Sequence, residues 1–149
     1  MKRRCKSIEQ DTELKDLFFE ILNGLHSLGL PFGRNVQFYV DTENENEIKE
    51  MLLKEKNRKR LRRILATIVE GKERPDLYGR EDVSSKAEEV KGMKFTGAKR
   101  GNPRVYCREY IMQDEVRIVM VHTCLKKSQK VTGKLKNRLE IIGGYKYEF

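Results

Sequence analysis

Long hydrophobic runs and clustered cysteines are both missing from this 149-residue chain. No apolar stretch approaches the ~20 residues that a membrane-spanning helix requires. The basic start MKRRCKSIEQDTELK has no apolar segment behind it of the kind a secretory signal carries. The expected compartment is the cytoplasm, with no membrane partner. Cys5, Cys107 and Cys124 lack CxxC spacing, and two of them lie in apolar strand-like runs, which argues against a zinc site or a disulfide framework and for buried thiols. The length, with 38% hydrophobic residues, suffices for one compact core and is too short for two ordinary domains.

Positive charge is abundant, and its placement is uneven. The chain carries a net charge of +9, yet Lys54 to Arg63 alone nets +6 and Lys91 to Arg138 nets +10, which leaves the remainder at −7. Two cationic blocks in an otherwise acidic chain form an electrostatic footprint for nucleic acid. For the first block a solvated helix face fits equally well. In the second, the charges interleave with aromatic residues.

Periodicity orders the elements. Asp11 or Thr12 caps a helix with Leu14, Leu17, Phe18, Ile21, Leu25 and Leu28 at helical spacing, ended by Gly29 and Pro31. This helix reads as an N-terminal extension, residues 1–34, ahead of a domain over residues 35–149. Val36 to Val40 reads as a strand. From Glu45, Ile48, Met51 and Leu52 form one apolar stripe, and Leu61, Ile64, Leu65, Ile68 and Val69 a second, stopped by Gly71. Two packed helices and one long helix both fit. Glu73 to Ser85 reads as a loop, with Ser85 and Glu88 as a capping box. Three strands follow, Lys91 to Thr96, Pro103 to Met112 and Val116 to Cys124, joined through GAKRGN and QDE, and a last helix spans Thr132 to Ile142. The expected fold is α+β: a mostly antiparallel four-stranded sheet on a helical hairpin, with a C-terminal helix and the extra N-terminal helix.

Strand alternation divides Pro103 to Met112 into two faces. Arg104, Tyr106, Arg108, Tyr110 and Met112 share one, and Val105, Cys107, Glu109 and Ile111 the other. The first interleaves guanidinium groups with phenol rings, a combination suited to phosphates and stacked bases, although a solvent-facing strand with aromatic cross-strand pairs has the same pattern. His122, near the end of the next strand, has the side chain suited to proton transfer near neutral pH. A satisfied structural histidine is the alternative. His26, on the N-terminal helix, is not expected to join the same site. The strand then runs into the cationic turn Lys126, Lys127, Ser128, Gln129, Lys130 ahead of a helix, a suitable place for a polyanion.

YCREYI around Arg108, VRIVMVHTCLKKSQK, and the order of VQFYVDT, helical hairpin and loop before them resemble the RelE/ParE superfamily of toxin–antitoxin toxins. The resemblance covers roughly Asn35 to Ile142 and looks closest to the HigB-like, phage Gp49-like branch. It implies a ribosome-dependent mRNA endonuclease that needs no metal or other cofactor and uses the RNA 2′-hydroxyl against the adjacent phosphodiester. Under it Arg108 binds the scissile phosphate, Lys126, Lys127 and Lys130 add phosphate contacts, and Lys94, Arg104 and Tyr106 extend the RNA surface. His122 or Tyr110 transfers the proton. The family's glutamate-arginine pair in the preceding strand is replaced here by GMKFTGAKR, which has no carboxylate. The implied partners are an antitoxin protein and mRNA on the ribosome, with a homo-oligomer also open. RNA binding without cleavage and ParE-like gyrase inhibition are the alternatives. The N-terminal helix could pack on the domain, self-associate or meet the antitoxin.

Overall fold

The structure, a computed structural model, describes residues 2–30, 32–80, 89–95, 102–126 and 133–149. In chain order these form β1 (Lys2–Ser7), α1 (Thr12–Ser27), β2 (Val36–Asp41), α2 (Glu45–Leu53), α3 (Arg58–Glu70), β3 (Tyr78–Arg80), β4 (Val90–Lys94), β5 (Asn102–Ile111), β6 (Val116–Lys126), α4 (Gly133–Gly143) and β7 (Lys146–Glu148). Thr96, most of the GAKRGN turn and the Ser85 to Glu88 cap lie outside the described residues.

Helix ends fall where cap chemistry places them. The Asp11 side chain accepts the Leu14 N–H at 3.0 Å to start α1, and α3 stops at Gly71, whose φ of +74° suits glycine. Between α2 and α3 the Asn57 amide donates to the Met51 carbonyl at 2.8 Å and holds a single 3-10 turn. The apolar stretch is therefore two packed helices.

The fold class is α+β, but the sheet is larger than four strands and is mixed. Its order is β3-β4-β5-β6-β2-β1-β7. β2 runs parallel to β6 and β7 parallel to β1, while the other pairs are antiparallel. This corrects the expectation of a mostly antiparallel four-stranded sheet: there are seven strands among the described residues, and parallel pairs are mixed with antiparallel ones. The three unexpected strands, KRRCKS, YGR and KYE, are short or charged and bury few side chains. Their place comes from backbone pairing with neighbours, which leaves little trace in a hydrophobic pattern.

The sheet has a core on each face. On one face α1, α2 and α3 pack over Phe38, Val40, Met93, Val105, Ile118 and Met120. On the other, Leu139 and Ile142 of α4 cover Val90, Tyr106, Val119 and Val121. The N-terminal segment supplies both a strand to the sheet and a helix to the first core. Leu14, Leu17, Phe18, Ile21 and Leu25 are buried there, and Phe18 meets Phe38 edge to face with centroids 5.0 Å apart. Leu28, grouped with that stripe by spacing, lies beyond the helix and is 73% exposed. Cys107 is buried as expected, whereas Cys5 and Cys124 are half-buried. Among the described residues no helix is long and apolar enough to cross a membrane.

Because α1 is part of the main core, Phe18→Ala is expected to destabilise the chain by roughly 3–5 kcal/mol, read by urea unfolding. A loss under about 1 kcal/mol would mark α1 as loosely attached.

Candidate functional site

His122 reaches its site through a break in strand alternation. Ile118 and Met120 point into the helix-covered core, so an unbroken strand would send His122 there as well. In the β5–β6 ladder, however, Tyr106 pairs with His122 and Cys107 with Met120, leaving Val121 as the extra residue of a bulge. The bulge turns His122 and Cys124 onto the other face, beside Val121 and Tyr106.

The N-terminal turn of α2 grips this bulge. Asn44 donates its amide to the Val121 carbonyl at 2.7 Å. The Glu47 carboxylate lies 3.2 Å from His122 Nδ1 and accepts the Thr123 backbone N–H at 3.4 Å. The turn itself is organised by Asp41, a fully buried carboxylate that accepts the backbone N–H groups of Glu43 and Asn44 at 2.9 and 3.2 Å. Arg3 donates to the same carboxylate twice, at 2.7 and 3.0 Å, and the Tyr147 hydroxyl once, at 2.6 Å. Burial and the bond to Asp41 keep the Tyr147 phenol protonated far above its ordinary range. One side chain thus ties the first strand, the last strand and α2 together.

From the other side, Arg138 of α4 places Nη1 3.3 Å from His122 Nε2. A guanidinium only donates and a carboxylate only accepts, so the imidazole is fixed as the Nδ1–H tautomer with its Nε2 lone pair toward Arg138. Burial pushes the His122 pKa below the ordinary histidine value; Glu47 opposes this and Arg138 adds to it. His122 is therefore neutral near pH 7, and its side chain keeps 23% of its exposure. A cavity of about 220 Å³ opens beside it, lined by Tyr106, His122, Cys124, Lys134, Leu135 and Arg138. Two cations, an oriented neutral imidazole and an apolar wall can receive a phosphate and move a proton beside it.

The other expected residues are placed differently. Arg104 is buried, in register with Cys124 and Lys94. Tyr106 is fully buried under α4 and forms a wall of the cavity, so its ring is no exposed stacking platform. Arg108 is turned to structural use. Its Nη1 donates to the Gly143 carbonyl at 2.7 Å, closing the negative end of α4, and its side chain is 11% exposed beside Glu89. Tyr110, about 13 Å along β5 from Tyr106 at strand rise, donates to the Tyr145 carbonyl at 3.1 Å and packs on Tyr147 and Phe149. Arg108 and Tyr110 thus form a C-terminal cluster apart from the His122 cavity. Lys94 is half-buried, and its carbonyl accepts from Arg60 at 2.9 Å. Lys126 ends β6 opposite Asn102, while Lys127 and Lys130 lie outside the described residues. His26 is exposed on α1, against Phe32.

Sequence reasoning missed Asn44, Glu47, Lys134 and Arg138. DTENENE reads as turn and cap residues, which Asn44 and Glu47 also are. Lys134 and Arg138 were counted in the second cationic block, and their i, i+4 spacing on the last helix was the available signal. Among the described residues, no three His, Cys, Asp or Glu side chains are grouped to hold a metal ion.

No family model, curated protein or solved structure matches the chain. The site therefore rests on its own geometry.

Two outcomes test that geometry. In an NMR titration of the imidazole, Arg138→Gln is expected to raise the His122 pKa and Glu47→Gln to lower it further; the same direction for both would refute the assigned contacts. Asp41→Asn leaves Arg3 without its buried partner and is expected to cost roughly 3–5 kcal/mol in urea unfolding.

Proposed function

We propose that the protein is the toxin of a toxin–antitoxin pair and a metal-independent, ribosome-dependent mRNA endonuclease, with His122 as its proton-transfer residue. The observation that carries this reading is the neutral, oriented imidazole held between Glu47 and Arg138 at the mouth of a cationic cavity. In the proposed reaction the RNA backbone enters beside Arg138 and Lys134. Arg138 moves from His122 Nε2 to a phosphate oxygen, which frees the lone pair and neutralises the charge that depresses the histidine pKa. Nε2 then takes the 2′-hydroxyl proton as O2′ attacks phosphorus. The P–O5′ bond breaks as solvent water gives the leaving oxygen its proton, and the His122 imidazolium returns the proton it took to solvent, giving a 2′,3′-cyclic phosphate and a 5′-hydroxyl. Arg138 and Lys134 stabilise the extra negative charge on the phosphoryl oxygens. Glu47 holds the tautomer and favours the imidazolium that forms.

RNA binding without cleavage is a second reading, favoured by the engagement of Arg108 with the α4 terminus. An arginine at the resemblance's phosphate position is here bonded to a carbonyl. An acidic antitoxin segment is the expected inhibitor, since it would cover the same cations.

The test is mRNA cleavage in a reconstituted translation reaction, with ends mapped. His122→Asn is expected to lower the cleavage rate by roughly 10²–10⁴-fold, and Arg138→Gln to lower it comparably. At low RNA concentration, where the rate reports the RNA-free protein, the native rate should rise with pH along an acid limb whose midpoint lies below the ordinary histidine pKa, because the base acts when unprotonated. Intact mRNA with folded native protein overturns the cleavage reading, and retained RNA binding then selects the second. Cleavage that survives His122→Asn but vanishes in a folded Arg108→Ala variant moves the chemistry to the other end of β5.

A further inference from the structure

The cationic block at Lys54 to Arg63 faces away from His122, and the fold uses only part of it. Arg60 donates to the carbonyls of Lys94 and Asp76 at 2.9 and 2.6 Å, and Arg58 pairs with Glu20 at 2.8 Å. The other five, Lys54, Lys56, Lys59, Arg62 and Arg63, are exposed, and among the described residues none forms an ion pair. Lys59, Arg62 and Arg63 are neighbours at i, i+3 and i+4, where like charges repel. They also crowd the first half of α3, where the helix dipole is positive. No acidic residue stands in its first turn, and no side chain caps it. Among the described residues no ion pair offsets Lys59, Arg62 or Arg63, although Glu20 and Glu55 line the same hollow as Lys59 and Arg62.

We infer that this ridge is a docking surface for the phosphate backbone of structured RNA, separate from the His122 cavity and on the opposite face of the sheet. A polyanion would relieve both the mutual repulsion and the conflict with the helix dipole. An acidic protein fits less well, because protein interfaces centre on apolar anchors with charge at the rim. None of the exposed large hydrophobic residues lies on α3. That the polyanion is RNA and not DNA rests on the reading proposed above. With α3 over one face of the sheet and the cavity on the other, the chain can hold a structured RNA by the ridge while a second strand enters beside His122.

The test is fluorescence anisotropy of a labelled RNA hairpin with the full chain, across about 50 to 200 mM salt. Lys59→Gln/Arg62→Gln/Arg63→Gln is expected to reduce the slope of log affinity against log salt by about 3, at close to one unit per phosphate contact. Lys54→Gln/Lys56→Gln should reduce it by about 2 on the same basis. The melting temperature should hold or rise in both variants, since repulsion is removed. His122→Asn should keep the native slope, so failure of the cleavage reading is distinguishable from failure of the ridge. An unchanged slope in both ridge variants overturns the proposal. So does a DNA duplex of the same sequence that binds equally well with the same slope. Tighter binding of an acidic peptide than of the hairpin, abolished in the triple variant, overturns it in favour of a protein partner.

Discussion

The buried carboxylate of Asp41 is the constraint on which the rest of the arrangement depends. It receives two bonds from Arg3, one from Tyr147 and two from the backbone at the start of α2. A charge taken fully out of water is costly unless every acceptor position is used, and here they are. The consequence reaches the site by contact. Asp41 sets the α2 turn, the turn holds Asn44 and Glu47, Asn44 holds the Val121 bulge, and the bulge presents His122 to Glu47.

The bulge also explains why one strand serves two purposes. Before it, β6 alternates between the two cores in the ordinary way; after it, the same parity faces a cavity. One extra residue converts a position that would be core into one that is half exposed and chemically usable. The arginine and tyrosine further along β5 remain on that face but are covered by the C-terminal helix and strand. Arg108 there closes a helix terminus, and Tyr110 joins an aromatic cluster. Strand face is the same for Arg104, Tyr106, Arg108 and Tyr110, yet what covers each differs.

Helices α1 to α4 and strands β2, β4, β5 and β6 were legible because each repeats apolar residues at a fixed period or ends at a recognisable cap. Phe18, Leu61 and Ile118 announce their burial by spacing alone. β1 and β7 were not legible. Their inward residues, Arg3, Cys5 and Tyr147, take their meaning from Asp41 and Glu148, which are distant in sequence. His122 was visible as a candidate, but Glu47 and Arg138 were not, because their contacts with it form only once a bulge has shifted the strand and two helices have docked against it. Tyr106 and Arg108 misled for a related reason: alternation assigns a face, and the α4 segment that buries that face pairs with it only in three dimensions.

The parallel pairing of β1 with β7 has a kinetic consequence. Cys5 and Glu148, in contact across these strands, are 143 residues apart along the chain. The hairpin of β5 and β6 closes a short loop, whereas this contact closes a loop of 143 residues and is entropically more expensive to reach. β1 thus waits for β7, far later in the chain, before its outer edge is paired. Asp41 likewise lacks its tyrosine until β7 has docked. Until β7 docks, the Arg3 and Asp41 pair stands at an open sheet edge, and β7 then acts as a clasp over it. Folding should accordingly show a late phase sensitive to the C-terminal segment, with β2, β5 and β6 assembled ahead of it.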